Sequence, residues 1–266
     1  MRLCSIASGS SGNCIYVGSD TTHLLIDVGI SGKRIEAGLK ELELTGKDLD
    51  GILITHEHAD HIAGLGVMAR KYGVPIYASK GTIEAMKETA GLGNIDEDLF
   101  VEVEADRKKV LKDLTIHPMG ISHDAKEPLA YRVGYGSRKV AVCTDLGIYN
   151  DYTVECLKGM DAILIEANHD VNMLQVGPYP YYLKQRILGN RGHLSNENSG
   201  KLLSRILHDN MKAISLGHLS KENNLPELAY EAVRMEITMG DNPYNANDFN
   251  IQVAKRQEIS PVIQIA

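Results

Sequence analysis

Residues 53–64 read LITHEHADHIAG. Directly after the apolar run GILIT, His56, His58, Asp60 and His61 fall within six consecutive positions. An apolar run followed by a helix start predicts a strand-to-helix loop, in which close alternate residues turn their side chains into one cavity. His56 and His58 stand at i and i+2. Asp60 and His61 open the helical turn and face a second point a short distance away. Nitrogen and carboxylate donors at that spacing suit first-row divalent metals. The alternative is a polar helix start with incidental histidines, and four ligand-type residues so close together argue against it.

More donors stand at the ends of apolar runs further along. GISHDA places His123 just after a predicted strand, and SLGHLS does the same for His218. AVCTDLG ends an apolar run on Asp145. A carboxylate there is costly without a partner, so its presence points to function. An aspartate can bridge two cations, which is the simplest job for Asp145.

The bulk composition sets the frame. The 266 residues suffice for one large α/β domain or two small ones. Hydrophobic residues make up 43%, Trp is absent and Phe occurs twice, so the core is expected to be aliphatic. A net charge of −7 argues against nucleic-acid binding through a basic surface alone, though bound metal can supply phosphate-binding charge. No apolar run is long enough for a signal peptide or a membrane span. Cys4, Cys14, Cys143 and Cys156 lack CxxC spacing and read as reduced thiols of a cytosolic protein.

The patterning predicts strands at NCIYVG, HLLIDVG, GILITH and PIYAS, alternating with helices over SGKRIEAGLKELEL, HIAGLGVMARKYG and TIEAMKETAG. From Phe100 to Thr144 strands dominate, and DAILIEA adds another. Helices follow around NSGKLLSRILHDN and from NNLPELAYEAVRMEI, the latter with Asn224 and Glu227 spaced as a capping box. AISLGH and NIQVA are strands. Two similar halves of strands and helices predict an α/β protein with helix-covered sheets.

THEHADH, followed by a lone histidine, a strand-end aspartate and a late histidine, resembles the metallo-β-lactamase superfamily across nearly the whole chain. The resemblance implies a single domain over 1–266 with a four-layer αββα sandwich. It implies two divalent metal ions, zinc, manganese or iron. One would be held by His56, His58 and His123, the other by Asp60, His61 and His218, with Asp145 bridging. SIASGSSGNC, IEANHD, GNRGHLSNENS and LGHLSKENN resemble more narrowly the bacterial YycJ/WalJ group, which is exonuclease-like and related to ribonuclease Z and ribonuclease J. DNA is then the expected substrate.

Two cations about 3.5–4 Å apart can hold a hydroxide and clamp both oxygens of a displacement at phosphorus. No Ser or Cys nucleophile is then needed, and Asp60 can orient or deprotonate the water while ligating. The resemblance to ribonuclease Z implies that His193 contacts phosphate or protonates the leaving oxygen. A capping loop is the plainer reading there, with Ser195 or Asn196 as the N-cap. Asp27 reads as a carboxylate that braces the histidine loop, or as a turn-former before Gly29. His169 either touches substrate or makes a structural hydrogen bond. His23, His117 and His208 lack such context. SGSSGN reads as a tight turn with Ser8, Ser10 or Asn13 bonded to substrate or to the histidine loop. GPYPYYLKQRILGNRGH reads equally as a base-stacking, phosphate-binding segment or as a Pro-ordered loop.

The rival functions are hydrolysis of a small molecule (a thioester, a lactone or a small phosphodiester) and a non-enzymatic metal-dependent module. The complete ligand set argues against the latter. Between Asp145 and His218 there is no room for an additional clamping domain, so substrate meets an open groove or a second subunit of a homodimer completes it.

Overall fold

Short apolar runs rich in Ile, Leu and Val become strands because both of their faces are buried, as in a sheet covered on each side. Leu24, Leu25, Ile26, Ile52, Leu53 and Ile54 are all fully buried. The computed structural model describes residues 1–266. In chain order, strands β1 (Arg2–Ala7), β2 (Cys14–Gly18) and β3 (His23–Ile26) lead to helix α1 (Gly32–Glu41) and β4 (Gly51–Leu53). Then come α2 (Ala59–Ile62), α3 (Leu65–Tyr72), β5 (Ile76–Ala78), α4 (Lys80–Glu88) and β6 (Phe100–Glu102). Next are β7 (Lys109–Leu111), β8 (Leu114–Gly120), β9 (Leu129–Tyr135), β10 (Arg138–Cys143), α5 (Asp151–Leu157) and β11 (Ala162–Glu166). The chain closes with α6 (Val171–Val176), α7 (Tyr181–Leu188), α8 (Asn196–Ile206), β12 (Ala213–Gly217), α9 (Pro226–Met239), β13 (Ile251–Val253) and β14 (Ile263–Gln264).

Two compact units divide these elements. The first holds Met1–Gly120, Ala125–Arg138 and Lys255–Ala266, the second Ile121–Asp124 and Lys139–Ala254. In the first unit one mixed sheet runs β14-β1-β2-β3-β4-β5-β6. It is antiparallel from β1 to β3 and parallel from β3 to β6. The crossover from β3 to β4 uses α1, whose Ile35 and Leu39 enter the core. Strands β7, β8 and β9 pair as an antiparallel meander in the same unit and belong to the second seven-stranded sheet, ordered β13-β12-β11-β10-β9-β8-β7.

In the second unit β10, β11, β12 and β13 pair in parallel. Open parallel sheets place ligands beyond the carboxyl ends of their strands. Asp145 follows β10 by two residues, Glu166 ends β11, and His218 follows β12 directly. The first unit repeats this arrangement, with Asp27 after β3 and His56 after β4.

The structure departs from the expected elements in places. The helix expected over HIAGLGVMARKYG is two, α2 and α3, broken at Ala63–Gly64. Gly64 N–H donates to Val28 O at 2.8 Å, and a Cβ there would meet Ile30 O at 2.3 Å. Helix α9 starts at Pro226 behind Leu225, not at a capping box on Asn224. The Asn224 amide instead donates to Ala167 O, Asn168 O and Asn196 Oδ1. All four cysteines are buried and none forms a disulfide. No helix is long and apolar enough to cross a membrane.

Candidate metal centre

In the first unit the histidine loop is built on a backbone close approach. Val28 N–H donates to His61 O, Asn13 N–H to Asp60 O and Gly29 N–H to Asn13 O. Gly29 must be glycine, because a Cβ would lie 1.6 Å from Asp60 O. The loop crowds three imidazoles. The His56 ring centroid is 4.6 Å from that of His58 and 4.1 Å from that of His61. His56 and His61 are fully buried.

The ring orientations are set from behind. Asp27, fully buried and held at φ 60°, takes the Nδ1–H of His61 at 2.8 Å. It also accepts from Thr55 N and Thr55 Oγ1. Thr55 Oγ1, donating to Asp27, accepts from His56 Nδ1 at 3.0 Å. With Nδ1 protonated, the lone pair of His61 lies on Nε2, which is 3.2 Å from Asn13 Nδ2 and 3.4 Å from Asp60 Oδ2. His58 is the residue before α2, and Asp60 lies in its first turn.

In the second unit Asp145 Oδ1 is a point of convergence. It lies 3.7 Å from His123 Nε2, 3.6 Å from His193 Nδ1 and 3.6 Å from His218 Nε2. Asp145 and His218 adopt φ of 59° and 53°, a conformation that costs roughly 1–3 kcal/mol in a non-glycine residue and collects at functional sites. His123 is held by Gly192 O at 3.1 Å from Nδ1, and burial depresses its pKa. Ligand atoms of Asp145, Glu166, His193 and His218 all lie within 4.8 Å of one another.

Glu166 is the hub of this half. Its Oε1 accepts Nδ1–H bonds from His193 and His218, each at 2.8 Å. Its Oε2 accepts from the backbone N–H of Leu146 and Leu194, each at 3.0 Å. Burial alone would raise its pKa, but the His193 charge and these bonds hold it well below the usual carboxylate range. Conversely, burial pushes His193 down while Glu166 pushes it up, and the net shift is upward.

The donors fit a divalent cation. His56, His61, His123 and His218 each have Nδ1 tied to a hydroxyl, a carboxylate or a carbonyl, which would leave Nε2 as the atom to meet a cation; such backing orients metal-binding histidines.

A family model described as the β-lactamase superfamily domain matches residues 22–212. The chain belongs to the β-lactamase superfamily. "Exodeoxyribonuclease YycJ" of Bacillus anthracis is 45% identical over 228 residues, 86% of this chain and 86% of that one. "Exodeoxyribonuclease WalJ" of Streptococcus pneumoniae serotype 2 is 42% identical over 260 residues, 98% of this chain and 96% of that one. Zn(2+)-bound PqqB from Methylobacterium extorquens superposes with a TM-score of 0.73 at 14% identity, each chain covered completely. Human tRNase Z, short form, gives 0.64 at 15% identity, again over both whole chains. The fold is the superfamily's α/β sandwich of mixed sheets flanked by helices, and the chain is a hydrolase of that superfamily.

Placed within this superfamily frame, the remaining residues separate. Ser195 is the N-cap of α8, its Oγ accepting from Asn198 N. His169 lies behind the strand end. Its Nδ1 meets Asn168 Oδ1 at 3.3 Å, its Nε2 is buried without a partner, and burial lowers its pKa to about 4. Asn168 in turn donates to His218 O at 2.9 Å. His23 bonds Tyr16 OH, and His208 bonds Met160 O. Glu166 is absent from the residues singled out in the sequence, although a carboxylate ending the apolar run AILIE is the signal that identified Asp145.

Proposed function

We propose that this superfamily hydrolase is a dinuclear-metal phosphodiesterase that acts on nucleic acid as a DNA exonuclease. The observation that carries the substrate class is 42–45% identity, over most of the chain, to proteins named exodeoxyribonuclease. In this reading the two units form a single hydrolase domain. His56, His58 and His123 hold one cation, Asp60, His61 and His218 hold the other, and Asp145 serves both. When bound, the cations make water acidic enough to attack near neutral pH and offset charge on the phosphoryl oxygens.

The chain's own residues do the rest. Asp60, with its side chain 27% exposed, orients the attacking water and accepts its proton. His193, its ring held at Nδ1 by Glu166 and its pKa raised on balance, donates a proton to the ester oxygen as the P–O bond breaks. Glu166 thereby couples two jobs, since the same oxygen fixes the ring of His218.

The test uses DNA labelled at a 5′ or a 3′ end, with zinc, manganese or iron added. Nucleotide release should disappear with chelator and in Asp60→Ala. His193→Ala should slow release by about 10²- to 10⁴-fold, the usual worth of a general acid, with metal content unchanged. Turnover of a thioester or of bis(p-nitrophenyl) phosphate without nucleotide release would replace this reading by a small-molecule hydrolase.

A further inference from the structure

We infer that α7 is a stacking platform that receives a single strand of DNA and leads it to His193. The inference rests on the nuclease reading above and adds the form in which substrate arrives.

Residues 171–196 contain no carboxylate side chain, the longest such run in a chain with 35 acidic residues and a net charge of −7. The same run carries Lys184, Arg186 and Arg191. Charge complementarity therefore singles out this surface for a polyanion. On it Tyr181 and Tyr182 are 76% and 74% exposed, with Val176 and Leu188 exposed beside them in sequence. Exposed tyrosines among cations are what single-stranded nucleic acid needs, because bases stack on the rings and phosphates meet the cations. A protein partner would also bury the rings, but an acid-free run of cations favours phosphates.

The platform is rigidly joined to the site residues. Pro180 stands at its start, and Lys184 Nζ donates to Gln175 O, which ties α7 to α6. At its other end His193 N–H donates to Ile187 O at 3.0 Å. Arg191 Nε donates to His123 O, and Gly192 O takes the His123 ring. Arg186 pairs with Asp124. A strand lying on α7 is thus delivered to the loop that carries His193, and the segment it follows contributes cations and no carboxylate of its own.

The test measures binding of a short fluorescein-labelled phosphorothioate oligodeoxynucleotide to the metal-loaded enzyme, single-stranded and as a blunt duplex. Tyr181→Ala/Tyr182→Ala should raise the Kd for the single strand about tenfold or more, the usual scale for losing stacked bases. Tyr181→Phe/Tyr182→Phe should restore it, since stacking needs the ring and not the hydroxyl. In the wild type, 2-aminopurine placed in the strand should lose fluorescence on binding, and the Ala pair should abolish that loss. An Ala pair that binds the single strand as tightly as the wild type, from an enzyme that does release nucleotides, overturns the platform and leaves the nuclease reading standing. A wild type that neither binds nor degrades DNA overturns both.

Discussion

Glu166 sets the orientation of two histidines with one oxygen, and this makes it the most informative single substitution. Glu166→Gln keeps the shape but replaces a charge-assisted acceptor by a neutral amide. Its new NH2 group must face either the Leu146 and Leu194 N–H groups or the imidazole Nδ1–H groups, donor against donor. Nuclease turnover should fall by about 10²- to 10⁴-fold, as for loss of a general acid. A variant with near-normal rate would show that His193 does not depend on it. Asp27→Asn acts on the other unit, weakening the hold on His61 and Thr55. Metal affinity should drop roughly 10- to 100-fold, measured by competition with a chelator and followed by elemental analysis. The ligand-type residues were legible because histidine and aspartate are conspicuous at the ends of apolar runs. The residues that hold them were less so. Asp27 carries the strand-end signal and reads as a brace or as a turn-former before Gly29, whereas Glu166 sits within a run that reads simply as a strand. Thr55 and Asn13 are ordinary polar residues until the fold sets them against a ring.

At the scale of elements, the histidine loop depends on backbone packing that a sequence reading sees only as a turn. Gly29→Ala would drive a methyl group into Asp60 O, and neither backbone can move without displacing β3 or α2. The expected loss is at least about 3 kcal/mol, the upper part of the range for overpacking, read as a lower urea midpoint. A variant as stable as the parent would mean the loop has slack that the geometry denies. The long apolar strands were legible from composition, since both faces are buried. Strand β1 was not, because RLCSIA mixes Arg and Ser with apolar residues and shows no alternation, yet five of its six residues are buried. Helices α6 and α7 were hidden by Gly177, Pro178 and Pro180, which read as loop although Pro180 is an N-cap. The single helix expected after the histidine loop failed for a tertiary reason, the wedging of Gly64 under Val28 and Ile30.

At the scale of the whole molecule, long-range closure decides what local pattern cannot. β14, from the C-terminus, pairs with β1, and Met1 N–H donates to Ile265 O, so the first unit is completed by residues 264 positions away. No local periodicity announces that pairing. A second long-range tie gives a measurable pH dependence. Asp113, in the β7–β8 turn, accepts from Ser19, Thr21 and Thr22 of the β2–β3 turn, more than 90 positions earlier. Burial works to raise its pKa, but the three hydroxyl bonds prevail and lower it from 3.8 to about 2. The folded-state pKa is therefore depressed, so the ionised carboxylate stabilises the fold above about pH 3.8. That contribution is lost as pH falls from about 3.8 through about 2, and below both values the folded and unfolded states bind the proton equally. Urea midpoints measured from pH 5 down to pH 2 should decline in the wild type. Asp113→Asn should start lower at pH 5 and decline less over the same interval, with the two curves converging at the acid end. Parallel curves would show that Asp113 titrates as it does in the unfolded chain and that its charge adds no pH-dependent stability.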